Sequence, residues 1–316
     1  MVARDEPSSV TTAAEVDPKR FAVHRFVVPE AGHRIAYVRE NMGGVPLLLV
    51  HGWPETKRIF WRVIEALAAA GFDVIVPDLR GFGDSERAPD GRHDVVGCAN
   101  DLIALLDHLG IGRAVLAGGD LGGPVVQHLA GADPGRFDRM VLFNAPLPMD
   151  PALMPGLSLG TPGTYDYFLR QGTDADALAA ELRSPEQRQR YVSTFYSSRL
   201  WAHPGAFDQA AVAFHAEPFG DADQLRASFG AYESVFDPSL RSGETQWGIG
   251  LPIETLILFG PSDHVIGPHF DQIAEIVFPN HVGPFRLRDC GHFVPWEASD
   301  IFVNATTSFC RDLLHP

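Results

Sequence analysis

The stretch AVLAGGDLGGPVV, residues 114–126, decides the fold. An apolar run enters four glycines around Asp120, and Pro124 follows where the first turn of a helix accepts proline. The pattern small-x-Asp-x-small, with Gly118 and Gly122 on either side of Asp120, is what a sharp strand-to-helix turn requires. Small neighbours let the central side chain project above a sheet. The stretch therefore predicts a buried strand, a strained turn that carries a carboxylate, and a helix.

The glycines have two other possible interpretations. A phosphate loop needs G-x-G-x-x-G or G-x-x-x-x-G-K-[ST], and GGDLGG fits neither pattern. It would also place the anionic Asp120 at the helix N-terminus, where the phosphate has to bind. An aspartate that simply caps a helix after a glycine turn satisfies much of the same pattern, so the choice depends on the rest of the chain.

Apolar runs and helical periodicities alternate along most of the chain. FAVHRFVV and HRIAYVRE predict an edge hairpin, and VPLLLVHGW, GFDVIVPDL and IETLILFG predict strands buried on both faces. Helices are predicted over 59–70, 99–109, 124–130 and 299–314. The alternation predicts an α/β fold with a doubly wound, mostly parallel sheet.

The alternation stops between about residues 146 and 239, where no strand-like run occurs and five of the six tyrosines are found. This segment predicts an inserted helical cap. The expected organisation is a flexible N-terminal arm at 1–20, a first core part at 21–147, the cap at 148–240 and a second core part at 241–316.

The composition limits the partners and the location. A net charge of −15 argues against nucleic acid or an anionic membrane as the main partner. Three cysteines at no metal-like spacing favour a reducing compartment, and the first twenty residues contain no apolar signal segment. We expect a cytoplasmic protein that acts on a small molecule without a cofactor or a metal. The sequence allows a homodimer without predicting one.

Three distant features support a catalytic interpretation of Asp120. HGWP at 51–54 follows a buried strand, so the backbone N–H of Trp53 can join that of Leu121 in stabilising an oxyanion. Asp263 follows the strand in LILFGPSDHVIG, and His292 follows FRLR. The order nucleophile, acid, histidine is the one expected of an α/β hydrolase. Each feature has a simpler explanation, since Asp263 could start a helix and His292 could bond to the backbone.

HGWPET, PDLRGFGDSE, GGDLGG, LILFGPSDHV and DCGHFVPWE together resemble the epoxide hydrolases of the α/β-hydrolase fold. This family shares its architecture with haloalkane and haloacetate dehalogenases, and the resemblance covers about residues 22–313. It implies that Asp120 is the nucleophile, that His292 is the base, and that Asp263 orients His292. In PDLRGFGDS we expect a turn beside the site, with Asp78 and Arg80 paired.

An aspartate nucleophile indicates a saturated electrophilic carbon. A serine would form a stable ether with an epoxide or an alkyl halide, whereas a carboxylate forms an ester that water activated by His292 can hydrolyse. An opening epoxide also needs a proton donor, and a phenol donates far better than water. By resemblance, the donors are Tyr165, through its YxxF pattern, and Tyr232, with Tyr167 as the competitor of Tyr165. We interpret Tyr191 and Tyr196 as packing residues with hydroxyl groups toward solvent.

Two alternatives stay open. A dehalogenase could use the same Asp120, His292 and Asp263, although its relatives usually place Trp or Arg directly after the nucleophile, where this chain has Leu121. Several relatives carry their acid after the strand that corresponds to MVLFN, and this chain has Asn144 there, which leaves Asp263 as the acid. A relative that binds ligand without catalysis is the third interpretation.

Overall fold

The computed structural model describes residues 11–159 and 166–315. In this part of the chain eight strands form one sheet in the order β1-β2-β4-β3-β5-β6-β7-β8. β2 runs antiparallel to its neighbours β1 and β4, and the pairs from β4 to β8 are parallel. The strands are β1 Val23–Val27, β2 Arg34–Glu40, β3 Val45–Val50, β4 Phe72–Pro77, β5 Ala114–Gly119, β6 Phe137–Phe143, β7 Glu254–Phe259 and β8 His281–Arg286. The predicted α/β fold with a mostly parallel sheet is confirmed.

The sequence explains the order of burial across the sheet. Every residue of β4 and β5 is buried, as expected for continuous apolar strands covered by helices on both faces. The edge strands β1 and β8 are only partly covered. Because β3, β5, β6 and β7 are parallel neighbours in the middle of the sheet, their carboxyl ends lie side by side. This is where an α/β sheet places its site.

The helices that cover the sheet depart from the expected bounds at their ends. They are α1 Ile64–Ala69, α2 Val95–His108, α3 Gly122–Ala132, α10 Phe270–Val277, α11 Val294–Glu297, α12 Ser299–Phe309 and α13 Arg311–Leu314. α2 begins four residues before the predicted start, because the side chain of Asp94 caps it by accepting from the N–H of Val96. The predicted helix over 299–314 is interrupted at Cys310.

The described residues between β6 and β7 are mainly helical. The helices here are α4 Asp166–Thr173, α5 Ala175–Glu181, α6 Pro185–Tyr196, α7 Gln209–Ala216, α8 Ala222–Ser228 and α9 Gly230–Phe236. We call α4 to α9 the helical insertion. It is attached to the loop after β3 by two hydrogen bonds: Trp53 Nε1 donates to Ser228 Oγ at 3.1 Å, and the Tyr196 hydroxyl donates to the carbonyl of Pro54.

The first described residues are held against the surface. Trp61 Nε1 donates to the carbonyl of Asp17 at 3.0 Å, and Glu15 pairs with Arg62 at 2.8 Å. The part of the predicted flexible arm that the structure describes is thus bonded to the first core part. Within residues 11–159 and 166–315, no helix has both the length and the apolarity that crossing a membrane requires.

Candidate active site

Asp120 occupies the turn between β5 and α3 with a backbone φ of +43°. Its N–H donates to the carbonyl of Asn144 at 2.9 Å, and its own carbonyl accepts from the N–H of Gly123 at 3.0 Å. A positive φ is unfavourable for a residue with a Cβ and persists only where the surroundings impose it. The structure therefore has the predicted strained turn, with the carboxylate at its tip.

The glycines around Asp120 act through close packing, whereas the sequence suggested that they let the chain turn and the Asp120 side chain project. They adopt no positive φ themselves; the strain lies on Asp120. A Cβ on Gly122 would lie 2.2 Å from the carbonyl oxygen of Val50, and one on Gly119 would lie 2.2 Å from the ring of Phe143. The glycines thus allow β5 and α3 to approach the neighbouring strands closely enough to fix the turn.

The HGWP loop reaches the carboxylate as predicted. The N–H of Trp53 donates to Oδ1 of Asp120 at 2.6 Å. His51 braces this loop, since its Nδ1 lies 2.8 Å from the carbonyl of Gly52 and its Nε2 accepts from the N–H of Leu79 at 3.0 Å. This pattern requires the neutral imidazole, and burial lowers the pKa of His51 accordingly. Leu121 directly follows Asp120 as the N-cap of α3.

The structure brings Asp120, Asp263 and His292 together, each at most 4 % exposed. Nδ1 of His292 lies 2.8 Å from Oδ2 of Asp263, and its Nε2 lies 3.3 Å from Oδ2 of Asp120. The second contact is close enough for an ion pair but lacks hydrogen-bond geometry, so Nε2 has no hydrogen-bond partner among the described residues. Burial acts to lower the pKa of His292, but attraction by Asp263 and Asp120 outweighs it and holds that pKa well above its usual value.

Asp263 is held by groups that the sequence did not single out for this task. Its Oδ1 accepts from the N–H groups of Val265 at 2.7 Å and Ile266 at 3.2 Å. Its Oδ2 accepts from Nδ2 of Asn144 at 2.8 Å. Asn144 also exchanges hydrogen bonds with the backbone of Gly260, which ties the end of β6 to the end of β7. The sequence indicates only that Asn144, the residue after β6, cannot be the acid. It does not indicate that Asn144 holds Asp263.

Tyr232 lies on α9 over the site, 2 % exposed, and its hydroxyl has no hydrogen-bond partner among the described residues. Burial, followed by the nearby charge of Asp120, raises the pKa of Tyr232 well above its usual value. Tyr167 stacks on Trp53 with ring centroids 5.8 Å apart and meets Tyr232 edge-on at 6.0 Å. Tyr165 lies outside the described residues, so its position relative to Asp120 stays a prediction.

Two of the milder expectations were wrong. Asp78 is paired with Lys57, not with Arg80, and Arg80 forms a buried pair with Asp101. Lys57 comes shortly after the HGWP loop, and the fold brings it against the Asp78 carboxylate although the two residues are far apart in sequence. The hydroxyl of Tyr196 does not face solvent, since it is buried against Pro54.

Two buried carboxyl groups beside the site were also missed. Glu55 accepts from the N–H of Gly52 at 2.7 Å, and burial raises its pKa to about 7. Glu297 accepts from three backbone N–H groups around His292, and burial likewise raises its pKa to about 7. The described residues contain no cluster of His, Cys, Asp or Glu side chains that could hold a metal ion.

Comparison with known proteins identifies the family of this chain. A family model described as the alpha/beta hydrolase fold matches residues 45–299. The chain belongs to the α/β-hydrolase family. The family match includes the glycine turn, the HGWP loop, Asp263 and His292, so the site of this α/β hydrolase lies within the region that defines the family.

Individual relatives are similar over most of this α/β hydrolase. The soluble epoxide hydrolase of Corynebacterium sp. (strain C12) is 28 % identical over 302 residues, which cover 89 % of this chain and 95 % of the relative. The bifunctional epoxide hydrolase 2 of Sus scrofa is 33 % identical over 94 % of this chain but only 57 % of its own length. Among solved structures, the epoxide hydrolase CorEH without ligand has a TM-score of 0.79 at 24 % identity, covering 93 % of this chain and 99 % of that one.

Proposed function

We propose that this α/β hydrolase is an epoxide hydrolase that forms vicinal diols through a covalent ester on Asp120. The observation that carries the proposal is an aspartate, rather than a serine, at the strained turn in front of the pair of His292 and Asp263. The full-length similarity to a curated bacterial epoxide hydrolase supports it. Opening an epoxide also requires a proton donor, and Tyr232 can supply that proton.

In the first step, Oδ2 of Asp120 attacks one epoxide carbon and the bond from that carbon to the epoxide oxygen breaks. The other oxygen, Oδ1, already accepts from the N–H of Trp53 and becomes the ester carbonyl. The alkoxide takes a proton from the buried hydroxyl of Tyr232, with Tyr165 or Tyr167 as the second donor. The developing charge is stabilised because a phenol is a far stronger acid than water.

In the second step, His292 removes a proton from water, and the resulting hydroxide attacks the ester carbon of Asp120. The N–H groups of Trp53 and Leu121 stabilise the tetrahedral oxyanion. Collapse of this intermediate expels the diol, whose released oxygen takes the proton from the His292 imidazolium, and the carboxylate is regenerated as the remaining water proton returns to the Tyr232 phenolate. Asp263 fixes the proton on Nδ1 of His292 and stabilises the imidazolium, since its Oδ2 lies 2.8 Å from that nitrogen.

The helical insertion acts as a cap in this proposal. We infer a cap at residues 148–240 between core parts at 21–147 and 241–316, because α8 and α9 carry Ser228 and Tyr232 over the site. The dehalogenase alternative is disfavoured because two side-chain hydrogen-bond donors that could bind a halide are not available. Leu121 has no side-chain donor, and Nε1 of Trp53 is already bonded to Ser228. A cytoplasmic location and a homodimer stay predictions.

The test is a single turnover of styrene oxide in water enriched in heavy oxygen, followed by mass spectrometry of the diol and of the peptide that contains Asp120. Attack by Asp120 puts the label into Asp120 and leaves the first diol unlabelled, whereas direct attack by water labels the first diol. Release of halide from a haloalkane, without diol from any epoxide, would favour the dehalogenase. No turnover of either class would favour the ligand-binding interpretation.

A variant sharpens this experiment. His292→Gln removes the base of the second step, so we expect an adduct of the mass of styrene oxide to accumulate on Asp120. The matched control is His264→Gln, because His264 is exposed and adjoins Asp263 in sequence. A His292→Gln protein that turns over at the wild-type rate would contradict the mechanism.

A further inference from the structure

A cavity of about 410 Å³ adjoins the catalytic side chains on one side. It reaches the site at Leu121, the residue after the proposed nucleophile, and at Tyr232, the proposed proton donor. Most of its remaining lining is apolar and comes from both the core and the helical insertion, including Phe82, Cys98, Val125 and Phe168. Its size lies in the range of pockets that hold one small organic group.

The two side chains in the lining that carry a full charge, Asp94 and Arg241, are already engaged. Asp94 accepts from the N–H of Val96 and from both the N–H and the hydroxyl of Ser242. Arg241 donates to the carbonyls of Ser234 and Val235.

The other ionisable groups in the lining are uncharged near neutral pH, because burial lowers the pKa of His93 to about 4, raises that of Cys98 to about 12 and raises that of Tyr232 well above its usual value. The cavity therefore presents no free charge among its described lining residues. It favours an apolar substituent.

The other side of the site is filled by aromatic rings. Trp53 meets Phe195 edge-on with centroids 4.7 Å apart, and Trp201 packs edge-on against His292 at the same distance. Phe195 and Trp201 contact each other at 5.2 Å, and all three aromatic side chains are buried. Rings packed at these distances leave little room for a second large substituent.

A larger surface groove of about 960 Å³ does not provide space for a second substituent of the epoxide. It is lined by charged side chains such as Asp84, Glu86 and Asp223, and it shares only His93 with the cavity. Tyr232 lines the cavity but not this groove, and Asp120 is in the lining of neither. Among the described residues, the cavity toward Leu121 is therefore the apolar space that an epoxide placed between Asp120 and Tyr232 meets.

We propose that this α/β hydrolase selects epoxides with a bulky apolar substituent on one carbon and discriminates against those with a bulky group on both carbons. The inference rests on the proposed epoxide hydrolase function and adds the substrate class. The substituent lies in the cavity between Leu121 and Phe168, and the unsubstituted carbon faces the aromatic rings. Entry occurs beside Val235, which lines the cavity and is 53 % exposed.

The experiment compares kcat/KM for a series of terminal epoxides and for trans-stilbene oxide. Each methylene that enters the cavity is expected to raise kcat/KM roughly fourfold until the cavity is full. Styrene oxide should be hydrolysed at least about a hundredfold more efficiently than trans-stilbene oxide, because a large misfit in a packed site costs a few powers of ten. Equal efficiency for these two epoxides would overturn the inference while leaving the proposed function intact.

Variants in the cavity connect the selectivity to its lining. Cys98→Phe fills the cavity, and we expect the ratio of kcat/KM for 1,2-epoxyoctane to that for 1,2-epoxypropane to fall at least tenfold. Val235→Trp narrows the entry from an exposed position and gives the same direction of change if the buried variant does not fold. Met42→Phe is the control, because Met42 is 77 % exposed in the turn after β2 and lines no part of the cavity. An unchanged ratio in a folded Cys98→Phe protein would overturn the inference.

A binding measurement keeps the two proposals separable. Titration calorimetry compares 1-phenylethane-1,2-diol with hydrobenzoin, the diol that carries a phenyl group on each carbon. Binding of the first diol at least tenfold more tightly than the second supports the one-sided cavity even if no epoxide is hydrolysed, an outcome that would reject only the proposed function. Comparable binding of both diols would overturn the inference.

Discussion

Asn144 donates a hydrogen bond from Nδ2 to Oδ2 of Asp263 at 2.8 Å, and this is the same oxygen that faces Nδ1 of His292. The asparagine at the end of β6 thus supports the acid at the end of β7. Because Asp263 is buried, each donor to its carboxylate stabilises the charge that keeps His292 oriented. This relationship leads to the first prediction.

Asn144→Asp should reduce kcat for epoxide hydrolysis by about ten- to a hundredfold, since it replaces a donor with a second carboxylate beside Asp263. Two buried carboxylates at hydrogen-bond distance share a proton, which weakens the hold on His292. Steady-state kinetics with styrene oxide measure the effect. Asn280→Asp is the control, because Asn280 is exposed and its side chain donates to the carbonyl of Pro252. Wild-type kcat in Asn144→Asp would show that Asp263 does not depend on this donor.

Tyr232→Phe should slow formation of the ester on Asp120 by about a hundredfold, because removing a general acid typically costs two to four powers of ten and a second tyrosine compensates in part. Rapid-quench detection of the adduct on Asp120 measures this step alone. Tyr196→Phe is a matched control, since its hydroxyl is also buried but donates to Pro54. We expect that control to lose stability by about 1 kcal/mol and to keep the alkylation rate. Equal alkylation rates in Tyr232→Phe and wild type would remove Tyr232 from the mechanism.

Loss of the charge on Asp120 should lower the pKa of His292. Burial by itself lowers this pKa, and the attraction of Asp263 and Asp120 raises it. The ester removes one of the two carboxylates, so His292 becomes neutral at lower pH, which suits a base that must accept a proton from water. Asp120→Asn imitates the uncharged ester, and a titration of the histidine resonances by NMR should show a lower pKa for His292 than in wild type. An unchanged pKa would mean that the Asp120 carboxylate, whose Oδ2 lies 3.3 Å from Nε2 of His292, does not contribute to the pKa of His292.

Gly52→Ala should reduce kcat/KM at least a hundredfold, because a Cβ at this position would lie 2.4 Å from Cβ of Asp120 and 2.5 Å from its Oδ1. A small misplacement of a catalytic group costs about two powers of ten. Gly112→Ala is the control, since no heavy atom lies within 4 Å of its added Cβ. Circular dichroism and thermal unfolding confirm that both proteins are folded. Near-wild-type kcat/KM in Gly52→Ala would mean that the loop can retreat without moving Asp120.

Glu55 should make the free energy of unfolding decrease as the pH rises. Burial raises its pKa from 4.5 in the reference state to about 7 in the folded protein, so the folded state binds the proton more tightly. Its contribution is complete below pH 4.5 and is lost as the pH rises through about 7. The total amounts to about 3 kcal/mol, from a shift of roughly two and a half units at 1.36 kcal/mol each.

Urea unfolding of Glu55→Gln at several pH values tests this, because glutamine keeps an acceptor for the N–H of Gly52 and does not ionise. We expect a flatter pH dependence between pH 5 and about 8 than in wild type. Glu40→Gln, at a partly exposed position at the end of β2, is the control. The same slope in wild type and in Glu55→Gln would show that Glu55 does not titrate in this range.

The fold and the proposed catalytic residues were accessible from the sequence because their signals are local. Continuous apolar runs identified the central strands, and the glycines identified the turn that carries Asp120. Chain order then linked Asp263 and His292 to it. Pairings among polar side chains are less accessible: the sequence predicts a pair of Asp78 with Arg80, whereas Asp78 is bonded to Lys57, and it predicts a Tyr196 hydroxyl toward solvent, whereas this hydroxyl bonds to Pro54. Several partners were equally plausible for these side chains, and the sequence contains no distance by which to choose.

The sequence by itself determined the sheet, the chain order of the proposed catalytic residues and the chemistry that an aspartate nucleophile would allow, because these follow from hydrophobic periodicity and from the identity of single side chains. Only the tertiary structure decided that Asn144 supports Asp263, that Trp53 holds Oδ1 of Asp120, and that Glu55 is a buried acid of raised pKa. It also decided that apolar space opens beside Leu121 while aromatic rings occupy the region beyond Trp53. These features depend on distances and on exclusion of water between segments far apart in the chain, and packing alone sets those quantities.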